Sequence, residues 1–162
     1  MPLIKHGAEV ENEWTYVAEG DVPATGCVTL PLARLVADTD TLMARNTQVG
    51  VRLEPDDDPH DLEPFLDRIA LIDVSFPKYT DGRGYSQAQL LRRRLGYTGE
   101  LRAVGHVLTD QILYMNRSGF DAYQTTRADL PSIVKALGEY SAFYQPAADG
   151  NRSVFARRHE KA

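Results

Sequence analysis

The chain has 162 residues, a length that suits one domain and can bury a core without a disulfide or metal staple. Apolar residues at 43% and charged residues at 25% are ordinary globular composition, and 18 Lys plus Arg against 23 Asp plus Glu leave a net charge of −5. That balance argues against a general nucleic-acid binder; no stretch approaches the roughly 20 apolar residues of a membrane span, and the acid-bearing start MPLIKHGAEVENEW does not read as a secretory signal, so the expectation is a cytoplasmic protein.

Cys27 is the single cysteine, which excludes an internal disulfide, a Cys-x-x-Cys pair and a four-cysteine iron–sulfur site. Within GCVTLPL it reads as a small buried hydrophobe. No cofactor-binding signature is present, so none is expected. Residues 1–27 read as an N-terminal arm, 28–144 as one α/β domain and 145–162, rich in Pro, Gly and Asn and then basic, as a flexible tail.

Within the domain, GCVTL and LARLVADTDTLMAR suggest a strand and a helix, and QVGVRL (48–53) reads as a strand ended by PDDDP. His60 to Ile69 places Leu62, Phe65, Leu66 and Ile69 on one helical face. ALIDVSF (70–76) is apolar and β-branched enough for a buried strand. SQAQLLRRRL (86–95) predicts a helix, with Ser86 and Gln89 at capping-box spacing and Gly96 at the left-handed C-terminal position. ELRAVG (100–105) is the next strand, followed by a helix over about 107–117 that Ser118–Gly119 ends. FDAYQ (120–124) is the last strand. Asp129 caps a final helix read through Tyr144, with Pro131 in its first turn and Tyr140, Phe143 and Tyr144 at core-facing spacing.

The alternation βαβαβαβαβα predicts an α/β fold of βα repeats with a mainly parallel sheet, either half of a TIM-like barrel or an open doubly wound sheet. Its raw edges need cover, by the N-terminal segment or by a second subunit, and the latter would make a homodimer.

In such folds ligands collect beyond the carboxyl ends of the strands. There lie Glu54 to Asp58, the long loop from Pro77 to Ser86, His106, and Gln124 to Arg127. The loop is the most informative: Gly82 and Gly84 allow tight turns, Lys78 and Arg83 add positive charge, and the loop opens into a helix N-terminus at Ser86. The ligand class is a small anion such as phosphate, sulfate or a carboxylate, bound by Lys78, Arg83, Gly84, Ser86 and Gln124, with Asp81 and His106 as proton-transfer candidates. The competing reading is structural: Asp81 pairs with Arg83 or caps a turn, and the glycines only let the chain bend. The run Asp56 to Asp58 with His60 and Asp61 lacks EF-hand spacing and reads as a solvated acidic turn, so no metal is assigned. Arg102, in a strand among apolar neighbours, is expected to pair internally with an acid such as Asp73.

Residues 76–123, FPKYTDGRGYSQAQLLRRRLGYTGELRAVGHVLTDQILYMNRSGFDAY, resemble the bacterial DUF934 family, through the series DGRGYS, LLR, GY-x-GELRA, VL-x-DQ and R-x-GFD. A weaker likeness extends upstream through VGVRLEPDDDP to about residue 28. His106 stands where the family pattern has an acid. The resemblance implies a role in assimilatory sulfate and sulfite reduction, beside a sirohaem sulfite reductase, for proteins often described as oxidoreductases. The expectation is an accessory protein partnered by that reductase, with neither nucleic acid nor membrane as partner. The alternative is a small α/β enzyme binding sulfite, sulfate or phosphate at the DGRGYS loop.

Overall fold

The computed structural model describes residues 1–126 and 129–158. Arg127, one of the residues expected beyond the last strand, and the end of the tail (159–162) lie outside them. Five parallel strands make the centre of the sheet: β4 (Cys27–Pro31), β5 (Val49–Leu53), β6 (Ile69–Phe76), β7 (Glu100–Gly105) and β8 (Ala122–Gln124). Helices α1 (Leu32–Ala37), α2 (Thr39–Met43), α3 (Arg83–Arg93), α4 (Ile112–Ser118) and α5 (Leu130–Leu137) punctuate them, with a 3₁₀ helix at Pro59–Arg68 between β5 and β6. The repeated βα units and the parallel sheet are those the sequence predicts.

Segment 1–27, read from sequence as an arm, supplies three further strands. β1 (Leu3–Lys5) pairs antiparallel with β8 and with β2 (Ala8–Val10), while β3 (Trp14–Tyr16) pairs parallel with β4. The sheet order is therefore β2-β1-β8-β7-β6-β5-β4-β3. Both flanks of the central strands are taken by the chain's own N-terminal residues, so the edge argument for a second subunit loses its premise.

This order dictates curvature. A flat sheet of eight strands spaced about 4.8 Å apart is about 34 Å wide. Strands β2 and β3 stand at its opposite edges, yet only Glu11, Asn12 and Glu13 join them. Four residue steps reach at most about 14 Å. The sheet must curl until its edges approach, giving a half-barrel. Asn12 shows which face lies inside the curl, because its side-chain oxygen accepts from Arg102 Nη1 at 3.1 Å.

The opposite, convex face carries the main apolar core. Val51, Leu53, Ile72, Val74, Phe76, Leu101 and Ala103 meet Leu35, Ala88, Leu91, Met115 and Ile133 from four helices. Each Val, Leu, Ile, Met or Phe among them, fully buried, contributes about 1.5–3 kcal/mol. Gly84 lets α3 approach β6: a Cβ there would stand 2.6 Å from Phe76 Cζ and 3.0 Å from Val74 Cγ1. At the other end of α3, Gly96 takes φ +69° as predicted, and the Tyr97 N–H bonds back to Leu91 O at 2.9 Å.

Three expectations need correction. Helix α3 starts at Arg83 rather than Ser86, because the Asp81 carboxylate already accepts from the Arg83 N–H at 3.1 Å; Ser86 is an exposed helical residue, not a cap. Helix α5 is capped by Asp129 as expected but stops at Leu137, where Gly138 follows. Tyr140 and Tyr144, beyond that stop, are 54% and 69% exposed and do not belong to the core.

Substituting Gly84 by Ala tests the α3–β6 contact. Phe76 is held edge-on by both Tyr85 and Phe120, so it cannot swing away from an added methyl. The expected cost is about 1–3 kcal/mol, read as a lower urea midpoint at unchanged slope; an unchanged midpoint would mean that helix and strand separate freely.

Candidate functional site

The loops beyond β5, β6, β7 and β8 meet edge to edge on one rim. Gln87, buried in α3, donates through Nε2 to Glu54 O at 2.8 Å and Asp57 O at 3.0 Å, fixing the acidic turn after β5. The His106 N–H donates to Phe76 O at 2.8 Å, Gln111 Nε2 donates to Tyr79 O at 2.8 Å, and Thr125 Oγ1 donates to Val107 O at 3.1 Å. This is the rim on which the sequence placed its candidate residues.

Their side chains do not form one cluster. Arg83 grips Asp81 with two parallel bonds, Nε to Oδ1 at 3.0 Å and Nη2 to Oδ2 at 2.7 Å, and its Nη1 reaches Asp56. Hydrogen bonds from the Arg83 side chain and N–H hold the Asp81 carboxyl down at about 2. Two carboxylates thus balance the one guanidinium. Gly84 faces the Phe76 ring, so its role here is packing. Lys78 and Ser86 are exposed on this rim, as is His106. Gln124 is half-buried within β8, on the same face as Arg102 by strand alternation, whereas Arg83 opens the helix on the other face. Among the described residues no hydrogen bond joins His106 or Gln124 to the Asp81–Arg83 pair.

A second group of charges, only partly foreseen, lies inside the curl. The register sets Arg52, Asp73, Arg102 and Ala122 side by side on β5 to β8, and Ala122 opposite Lys5 on β1. Arg52 Nη2 donates to Asp73 Oδ2 at 2.8 Å while its guanidinium stacks 3.7 Å from the centre of the Tyr16 ring. Arg102 stands 3.8 Å from Asp73 Oδ1 and donates to Glu100 Oε1 from Nη2 at 2.9 Å and from Nε at 3.1 Å. Glu100 also takes Lys5 Nζ at 2.6 Å. The expected Arg102–Asp73 pairing is present, but Glu100 is the closer partner. Asp73 and Arg102 are 1% and 2% exposed, and Asp73 Oδ1 lacks a hydrogen-bond partner. Sequence reasoning misses Arg52, Lys5, Glu100 and Asn12; for Arg52 the signal is a lone charge inside an otherwise apolar strand, whereas Asn12 lies outside any strand and carries none.

Titration of this group runs in two directions. Burial raises Asp73 and outweighs the bond from Arg52. Burial also pushes Glu100 up, but the hydrogen bonds from Lys5 and Arg102 together overcome it, so its net shift is downward from the usual 4.5. Among the described residues no three His, Cys, Asp or Glu side chains are grouped to hold a metal ion. Among the described residues no helix is long and apolar enough to cross a membrane.

A depressed carboxylate stabilises the fold above its unfolded value and loses that contribution as pH falls through the folded one. Glu100 therefore adds to stability at neutral pH and gives it up below about 4.5, whereas Asp73, shifted upward, favours the fold on the acid side and opposes it as pH rises. Glu100→Gln is expected to cost about 1.5–3 kcal/mol at neutral pH and to flatten the acid limb of the stability profile. Urea midpoints measured across pH check this; an unaltered acid limb would exclude Glu100 as a contributor.

Among curated proteins, none matches this chain. The model of the bacterial protein family of unknown function DUF934 matches residues 50–155. The match runs from β5 across the whole rim and the strands carrying Arg52, Asp73 and Arg102, well over half of the sequence, so the chain belongs to the DUF934 family.

Proposed function

We propose that this chain is an accessory protein of assimilatory sulfate and sulfite reduction, in the service of cysteine biosynthesis, working with a sirohaem sulfite reductase. The observation that carries the reading is family membership over the very residues, DGRGYS to GFD, on which the resemblance to proteins of sulfite reduction rests. The geometry of the rim supports an accessory role over an anion-processing one. Arg83, the residue best suited to grip an oxyanion, is already engaged by Asp81 and Asp56. Whatever oxidoreductase chemistry is involved is placed by this reading on the partner.

A second reading, a small α/β enzyme acting on an anionic metabolite at the DGRGYS loop, is favoured by one observation. Four βα loops share the rim, and Lys78 is exposed at its edge, close enough to Asp81 to lower that carboxyl further. Here sulfite, sulfate or phosphate is the ligand, Lys78 and Arg83 bind it, and His106 or Asp81 moves a proton.

Size-exclusion chromatography of the purified protein with purified sirohaem sulfite reductase tests the first reading. At about 10 μM, where even a weak complex is populated, the two are expected to elute together; separate elution would overturn it. Thermal shifts with sulfite, sulfate and phosphate test the second reading. It requires a rise in Tm that Arg83→Ala removes, and no rise with any of the three retires it.

A further inference from the structure

Two ridges of α3, Tyr85–Gln89–Arg93 and Ser86–Leu90–Arg94, each step by four residues and so lie side by side along the helix. The Arg94 N–H bonds to Leu90 O at 3.0 Å, which carries the second ridge through the helix end. The last turn of α4 is set against these ridges. Arg92 Nε donates to Gly119 O at 2.9 Å, and Gly119 takes φ +106°, with a Cβ there only 2.5 Å from Arg92 Cγ. A residue without a side chain is what lets α4 end this close to α3, and Ser118 is brought in with it. The two ridges and Ser118 line a groove of about 840 Å³.

Ser118 is only 8% exposed, yet its hydroxyl makes no hydrogen bond among the described residues. A hydroxyl at that depth is normally satisfied, so its donor and acceptor are left for a group that enters the groove. The Tyr85 hydroxyl is also without a hydrogen bond among the described residues. Burial, and then the nearby Asp110, push it up to about 12, so it stays a neutral donor. At the other end stand Arg93 and Arg94, two full charges against about half a negative charge from the helix C-terminus. Tyr85 and Arg93 are two ridge steps apart, about 12 Å along the axis. Leu90 is the one aliphatic side chain of the lining among the described residues. A protein interface core needs several apolar or aromatic anchors, which this lining lacks. Hydroxyls, an amide, one phenol and two arginines suit a small anion that carries hydroxyl groups, and the volume falls within the roughly 300–1,000 Å³ of small-molecule sites.

We propose that this groove binds a nucleotide, with its phosphate on Arg93 and Arg94, its sugar hydroxyls on Ser118, Ser86 and Gln89, and its base beside Tyr85. A base, a sugar and a phosphate in series match the order of groups along α3: a ring at one end, hydroxyl and amide groups between, charge at the other. The site is distinct from the rim. Arg93 lies about 15 Å further along α3 than Arg83, which is held by Asp81 and Asp56. The proposal therefore stands apart from both functional readings above.

Equilibrium dialysis of the purified protein against adenosine monophosphate tests this, with adenosine, ribose 5-phosphate and inorganic phosphate as comparison ligands. The variants are the double charge reversal Arg93→Glu, Arg94→Glu and the single Ser118→Ala. Both arginines are exposed, and Ser118→Ala removes one oxygen only, so the fold, checked by circular dichroism, persists in each. The expected result is saturable binding of adenosine monophosphate with a Kd of about 1 mM or tighter. The double reversal weakens it about tenfold or more, Ser118→Ala weakens it about three- to tenfold, and each comparison ligand binds less tightly. No binding up to about 5 mM overturns the proposal. Binding that both variants retain overturns the groove as its place, as does binding that Arg83→Ala removes and the double reversal leaves intact. Equal binding of adenosine, ribose 5-phosphate or inorganic phosphate overturns the nucleotide as occupant.

Discussion

Three residues, Glu11 to Glu13, tie together strands that stand at opposite edges of an eight-stranded sheet, and the shape of the molecule depends on that short tether. A parallel sheet left open would twist and present two unpaired edges. Here β1 caps one flank and β3 the other, and the reach of the link pulls both flanks toward each other. Curling separates the two faces by chemistry as well as by shape. The convex face is roofed by helices and needs apolar side chains. The concave face is crossed by the tether, whose Asn12 is available to pair with a polar group inside.

The concave face therefore tolerates charges that a doubly covered sheet would not. Five ionic side chains from β5, β6, β7 and β1 join in one chain of contacts, Arg52 to Asp73 to Arg102 to Glu100 to Lys5. Desolvating so many charges offsets much of their mutual attraction, and apolar residues of equal volume would be about as stable. What an ionic ladder adds is registry. Arg52, Asp73 and Arg102 satisfy one another only when β5, β6 and β7 are level, since a one-residue slip would move each side chain to the apolar face. The ladder also anchors the N-terminal strand, because Lys5 reaches Glu100 from 95 residues away.

How much of this could be read in advance depended on how local each cause is. Strand β6 is legible because burial makes its sequence apolar except at Asp73 and Ser75, and Arg102 stands out as a charge in the apolar run of β7. Gly96 and Asp129 were legible because capping is decided within a few residues. Ser86 misled because it fits a cap locally, while Asp81 had already started the helix one turn earlier. The periodicity through Tyr144 misled because a 3.6 spacing continues past Gly138 even though the helix does not. The rim followed from βα alternation, but the neutralisation of Arg83 did not: Asp56 arrives from another loop, 27 residues away. The strands of segment 1–27 are hidden because three-residue strands carry little periodicity, and because β1 finds its second partner, β8, far along the chain.

Several arginines of this protein tie separate segments together through their counter-charges. Arg83, Arg92, Arg102 and Arg117 each meet a carboxylate of the chain, and three of the four also hold a backbone carbonyl or a side-chain amide of another segment. A planar guanidinium with five donors suits that work, because one side chain can bind several segments at once. Arg157 likewise donates to Ser141 O, 16 residues back along the C-terminal segment. Asp149 of that segment pairs with Arg117 of α4, which fastens the segment to the body of the fold.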